Sequence, residues 1–196
     1  ATHLPLGQVG GYYARAYPQA EPVIAARIRR VPDGMYISAE EPTHSLRTHA
    51  RENGDVYAIA AGASFKPGHT DEERKSVQDL ERWLTESFGA GPVEYRWVNE
   101  DYESMDSAPF VGWSSSIGGG YLVATGFDAW GISNGTAAGM ILADLAGGKT
   151  NPWLGLFDAK RVKPLAGAAR FAKENVNTAV HLVGGYLSRK PKSLDE

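Results

Sequence analysis

The sequence predicts an α+β fold, an antiparallel β-sheet with a flanking helix followed by a closing strand–loop–helix and a C-terminal helix. Three observations carry this. Short apolar or alternating runs with β-branched residues recur at 23–30, 35–39, 45–49, 56–61 and 93–98, as strands do. A single stretch from Thr70 repeats Val77, Leu80, Leu84 and Phe88 at helical spacing, which defines one face of a helix packed on a sheet. Finally, residues 121–125 form a strand-like run that leads through Gly126 and Gly131 into the small-residue segment 135–145. Glycine there permits backbone conformations and approaches that a Cβ forbids.

Taken in chain order, residues 3–18 are rich in Gly, Pro and aromatics and read as loop. The strand at 23–30 is followed by the Pro32-Asp33-Gly34 turn and by a strand at 35–39. Strands at 45–49 and 56–61 flank Asn53-Gly54, a hairpin signal, so the region reads as an antiparallel meander. Thr70 and Glu73 form a capping box, and Gly89 ends the helix they open. Residues 93–98 alternate like a half-buried strand, residues 109–113 and 121–125 supply the last strands, and Gly118 to Gly120 read as the turn between them. Ser133 or Asn134 caps the next helix. Its 135–145 segment is apolar or small almost all round, so burial on several sides is expected, and Gly147-Gly148 stop it. A last helix is expected over 164–183, with Leu165, Ala168, Ala172, Val176, Ala179 and Val183 on one stripe and Gly184-Gly185 as the stop. Residues 188–196 read as a polar linker.

With 196 residues, 42% of them hydrophobic, and a mean hydropathy of −0.33, the chain can bury one sizeable core. A net charge of −3 provides no basic field for nucleic acid. No apolar run approaches the roughly 20 residues of a membrane helix, and the start lacks the pattern of a signal peptide, so a cytoplasmic setting is expected. The five histidines lack metal-ligand spacing, so no metal site is expected. The chain has no cysteine and no Gly-x-Ser-x-Gly elbow, which leaves thiol and hydrolase chemistry without a foothold.

The run from Tyr121 through Gly126, Phe127, Trp130, Gly131, Ile132 and Ser133 to Leu145 closely resembles the last strand, loop and helix of the FAD-dependent D-amino-acid oxidase superfamily, in particular its bacterial branch that often carries a C-terminal Rieske domain. Further segments fall in that family's order: 1–5, 34–38, 45–48, 95–97, Asp101-Tyr102, 106–112, and 151–158 followed by Arg161. The resemblance implies a substrate-domain sheet and helix over 1–115, the closing part of a Rossmann-like FAD-binding domain over 116–160, a C-terminal helix over 161–187 and a linker over 188–196. It also implies that Gly126, Phe127, Trp130, Gly131, Ile132 and Ser133 lie against the isoalloxazine ring, with backbone N–H groups toward its pyrimidine edge. The superfamily's Gly-x-Gly-x-x-Gly after an N-terminal strand, which seats the pyrophosphate, has no counterpart here, and neither have the Cys and His ligands of a Rieske 2Fe-2S cluster. The chain therefore reads as the C-terminal part of a flavoprotein. Its expected partners are the remaining FAD-binding portion and a small amine or amino-acid-like substrate, and this chain alone is expected to retain no FAD.

Three side chains are candidates for substrate binding. Arg47, on a strand of the meander, can pair bidentately with a carboxylate, against the ordinary reading of a solvated or ion-paired Arg. Tyr36 shares both readings. Trp130, an indole inside a glycine loop, has little core-building reason for its place and can wall the site over the ring. Lys66 can set a cation near the flavin for reaction with oxygen, although Pro67 and Gly68 mark a loop where a solvated Lys is ordinary. Asp106 reads as an organiser of the turn before Pro109. The function implied is oxidation of an amine or amino-acid-like substrate by hydride transfer to FAD, in which the cofactor performs the redox chemistry. The alternative is a binding or interaction domain derived from such a flavoprotein, without cofactor.

Overall fold

The computed structural model describes residues 3–5, 10–68, 70–114, 120–162 and 168–187. Its elements are α1 (Tyr12–Arg15), β1 (Ala16–Arg27), β2 (Tyr36–Ile37), β3 (His44–Ala50), β4 (Val56–Gly62), α2 (Thr70–Phe88), β5 (Val93–Ser104), β6 (Phe110–Trp113), β7 (Leu122–Thr125), α3 (Gly131–Ala146), α4 (Leu154–Phe157) and α5 (Ala168–Leu187). They form two compact units, Pro18–Asp101 and the remainder, Ala1–Tyr17 with Tyr102–Glu196. The span 1–115 expected as one segment is thus shared between them, because β6 pairs with β7 rather than with the larger sheet.

The unit Pro18–Asp101 is a sheet in the order β2-β3-β4-β1-β5. Side-chain alternation sends Ile24, Ala26, Leu46, Ala58 and Ala60 to one face, where Leu80 and Leu84 of α2 complete a core. Each of these two leucines is fully buried, which stabilises by about 1.5–3 kcal/mol per side chain. Asn53-Gly54 makes the expected β3–β4 turn, with Gly54 at φ 87° and Arg51 N donating to Asp55 O at 2.9 Å. Gly89, at φ 64°, donates its N–H to Thr85 O and closes α2.

The other unit pairs β6 with β7 antiparallel, Phe110 opposite Thr125 and Trp113 opposite Leu122. Ala138 and Ile141 of α3 pack with Val111 against this pair, supported by Leu145, Leu154 and Phe157. A second cluster joins Tyr12, Ala16, Phe110, Val123 and Ala159. Gly147 N donates to Ala143 O, Lys149 N donates to Asp144 O, and Gly148 takes φ 70°. Together they end α3 where the sequence placed its stop.

Several expectations are corrected. The sheet is not a simple meander, because β1 lies between β4 and β5 while β2 pairs only with β3; residues 28–35 are too long a connection for a tight hairpin. The opening segment is not all loop, since it contains α1 and the first residues of β1. α3 begins at Gly131, and neither Ser133 nor Asn134 caps it. Only Ala138 and Ile141 of α3 are buried, whereas Ile132 is 91% and Met140 53% exposed. α5 continues through Gly184-Gly185 to Leu187, because a helical glycine costs only about 1 kcal/mol and Gly184 takes no left-handed φ. Val176, Val180 and Val183 face outward, while Asn175 Nδ2 donates to Ala14 O at 3.1 Å. The Thr70 side chain, the turn at Gly118 and Gly119, the start of the last helix at Pro164 and the linker 188–196 lie outside the described residues.

Candidate functional site

The entry to α3 is built by a backbone that leaves strand geometry abruptly. Gly126 takes φ 78°, Asp128 φ 50° and Ala129 φ 61°. A Cβ on Gly126 would make only an ordinary 3.4 Å contact with Ser104 Cβ, so glycine is favoured there by its positive φ. Phe127 forms a single bridge with Glu103, Asp128 N donates to Tyr102 O, and Trp130 N donates to Phe127 O at 3.0 Å. Asn134 Nδ2 returns from the first helical turn to the same Phe127 carbonyl at 3.2 Å. The left-handed Asp128 and Ala129 are costly for non-glycine residues, about 1–3 kcal/mol each, and these hydrogen bonds hold them.

The helix start is open. The first helical hydrogen bond runs from Asn134 N to Trp130 O, so the N–H groups of Gly131, Ile132 and Ser133 precede it, and no side chain caps them. These donors sit at the positive end of the macrodipole. Gly131, Ile132 and Ser133 are exposed, Trp130 is 57% exposed, and a Cβ built on Gly131 meets nothing within 4 Å. Ser133 Oγ is turned back to Trp130 O at 3.3 Å. A planar, electron-rich ring edge fits such a row of donors, and Gly131 leaves room for its approach.

Behind the loop, Asp106 and Arg161 form a buried ion pair, with Nη2 to Oδ1 at 2.6 Å and side chains 8% and 7% exposed. Arg161 Nε also donates to Asp106 Oδ2 at 2.8 Å and Nη1 donates to Pro109 O at 2.8 Å, so the guanidinium ties the β6 turn to the segment after α4. Burial alone would raise the Asp106 pKa, but the hydrogen bonds and charge of Arg161, with Ser104, pull it down to about 2. The Arg15 and Arg161 guanidiniums both lie over the Phe110 ring, at 4.4 and 4.2 Å. Asp106 is thus the turn organiser that its position suggested. Arg161, which carried no assigned role, is the centre of the network; its signal was only its place after the 151–158 segment.

In the sheet unit, Arg47 is exposed and pairs in register with Ile59. Tyr36 pairs with Leu46. Alternation therefore places Tyr36 on the α2 face and Arg47 on the opposite one, and a single ligand on one face cannot engage both. Tyr36 instead donates its hydroxyl to Asp33. Lys66 follows Phe65, which is tied to Ala20 by two backbone hydrogen bonds of 2.9 and 2.8 Å; it is half-buried next to an anchored strand extension rather than in a free loop. Sequence reasoning passed over Gly62, at φ 152°, where a Cβ would lie 2.5 Å from Thr43 O. It also passed over the buried His44. Among the described residues no three His, Asp or Glu side chains converge as a metal site, and no helix is long and apolar enough to cross a membrane.

The family model of the DAO FAD-dependent oxidoreductases matches residues 1–145. The chain belongs to that family. It is 30% identical over 190 residues to YhfW of Bacillus subtilis (strain 168), a protein named for a Rieske 2Fe-2S iron–sulfur centre, covering 96% of this chain and 37% of YhfW. Glycine oxidase from Geobacillus kaustophilus has a similar fold, with a TM-score of 0.53 at 18% identity over 76% of this chain and 40% of the oxidase. A second glycine oxidase, from Bacillus cereus ATCC 14579, matches 71% of the chain and 39% of its own at 22% identity and a TM-score of 0.47. The chain spans well under half the length of each of these relatives. The mixed α+β architecture with antiparallel sheets agrees with the glycine oxidase fold.

Proposed function

We propose that the protein oxidises an amine or amino-acid-like substrate with FAD, and that this chain supplies the ring-side loop and the substrate-side sheet. The observation that carries the reading is the uncapped, exposed start of α3 beside Gly131, in a chain whose family is FAD-dependent. Bound FAD would accept the hydride from the substrate carbon. The N–H groups of Gly131, Ile132 and Ser133 would donate to the pyrimidine edge, and Gly126, Phe127 and Asn134 would hold the loop in that form. Trp130 would wall the substrate side, Arg47 would take a substrate carboxylate, and Lys66 would place a cation for reaction with oxygen. The name of YhfW supports a Rieske cluster elsewhere in the whole protein; its thiolates would lie outside this cysteine-free chain.

The test uses the whole protein. Gly131→Val is expected to lower flavin occupancy after desalting, read by absorbance, while Arg47→Ala retains flavin and loses turnover on an amine substrate. The isolated 196-residue chain should remain colourless, because ring-edge contacts lack the pyrophosphate anchor. Full flavin occupancy in a folded Gly131→Val protein would move the cofactor away from this loop.

A further inference from the structure

The sheet face opposite α2 carries a groove of about 330 Å³ that has no assigned role. Its floor is Ala25 and Ile59 and its aromatic wall is Tyr57, Tyr95 and Trp97. Tyr95 and Trp97 stay 49% and 40% exposed, which is more apolar surface than a solvated strand needs. The rim carries the cations Arg51 and Arg96 beside His49, and no acidic side chain lines it. Arg51 stacks 4.4 Å from the Tyr57 ring centre and donates to Tyr95 Oη at 2.7 Å, so it braces the wall. Arg96 is held by Glu81. Tyr57 donates to Glu94 at 2.6 Å and receives Arg27 Nε at 3.1 Å, which fixes its hydroxyl.

Arg47 differs from these cations. It stands directly across from Ile59, which is itself opposite Ala25, so Arg47, Ile59 and Ala25 form one row across three strands on the groove face. Directly opposed residues have Cβ atoms about 5 Å apart. Arg47, exposed, therefore stands at the edge of the groove, on the strand next to its floor residue Ile59. We propose that this row and groove bind a carboxylate bearing an aryl-alkyl chain, with the carboxylate on Arg47 and the aromatic group against Trp97 and Tyr95. The inference rests on the oxidoreductase reading only where it makes that ligand a substrate class, amino acids with large apolar side chains rather than glycine; the binding itself does not depend on the flavin.

The test is isothermal calorimetry on the intact protein with 3-phenylpropionate and propionate as probes. The phenyl compound is expected to bind at least about tenfold more tightly, because only it fills the aromatic wall. Trp97→Ala should abolish that preference, Trp97→Phe should restore most of it, and Arg47→Gln should weaken both probes together. Circular dichroism shows that each variant is folded. Equal affinity for the two probes, no binding to the folded protein, or an unchanged preference in Trp97→Ala overturns the proposal. An absence of binding joined to an oligomer that Trp97→Ala dissociates would give the groove to a second copy of the chain. If no amine is turned over but the phenyl preference persists, the substrate reading fails and the groove stands; if turnover persists without the preference, the groove fails alone.

Discussion

His44 lies flat on Trp83, with ring centroids 4.5 Å apart and planes inclined by 5°. The stack pins the start of β3 to α2. His44 is 9% exposed, its Nε2 has no hydrogen-bond partner, and burial lowers its pKa below the ordinary 6.5, with Asp79 acting weakly in the other direction. The unfolded chain therefore binds the proton more readily than the folded one.

Stability is accordingly expected to fall as the pH drops below the unfolded-state value of 6.5, because the imidazole must charge while buried. The loss runs down to the lowered folded-state pKa. His44→Phe should keep the stack and flatten this part of the profile. Urea midpoints measured at a series of pH values check it; an unchanged slope in His44→Phe counts against the assignment.

The Asp106 and Arg161 pair makes a second acid prediction, of the same sign, in a lower window. Its contribution is present above the unfolded carboxyl value of 3.8 and lost as the pH falls through about 2. Removing one partner strands a buried charge, so Arg161→Met is expected to cost about 3–5 kcal/mol. Asp106→Asn should cost less than Arg161→Met, since the amide can still accept from the guanidinium. Chemical denaturation of both variants and of the double mutant measures the coupling.

The two loop glycines should separate in stability. Gly126→Ala would hold a Cβ-bearing residue at φ 78° and is expected to destabilise by about 1–2 kcal/mol. Gly131→Ala meets nothing and should be neutral or slightly stabilising, because alanine is the better helix former. Thermal melts of the two variants decide; equal losses would mean that Gly131 also carries backbone strain.

The exposed apolar positions on α3 and α5 should drive association of the isolated chain. Ile132, Met140, Val176, Val180 and Val183 are each more than half exposed, more than a monomer's scattered apolar surface requires. Met140→Glu combined with Val180→Glu is expected to reduce self-association in sedimentation velocity without lowering the melting temperature. A strictly monomeric parent chain at high concentration would sink the idea.

The sequence by itself determined the local elements and the family. Periodicity and the signals at Thr70 and Gly89 placed α2, Asn53-Gly54 placed the hairpin, Gly147-Gly148 stopped α3, and the Gly126 to Ser133 motif marked the loop. These are short-range signals, set by spacing, side-chain shape and backbone freedom. Tertiary structure alone decided which strands are neighbours, because β1 reaches β4 and β5 through contacts that no local pattern encodes. It also set Tyr36 and Arg47 on opposite faces, since a face depends on register and register on pairing partners. The Gly184-Gly185 stop failed because a modest glycine penalty was outweighed where no left-handed turn formed. The Arg161 network, the His44–Trp83 stack and the aromatic groove arise from residues far apart in the chain, and only folding brings their charges and rings within reach of one another.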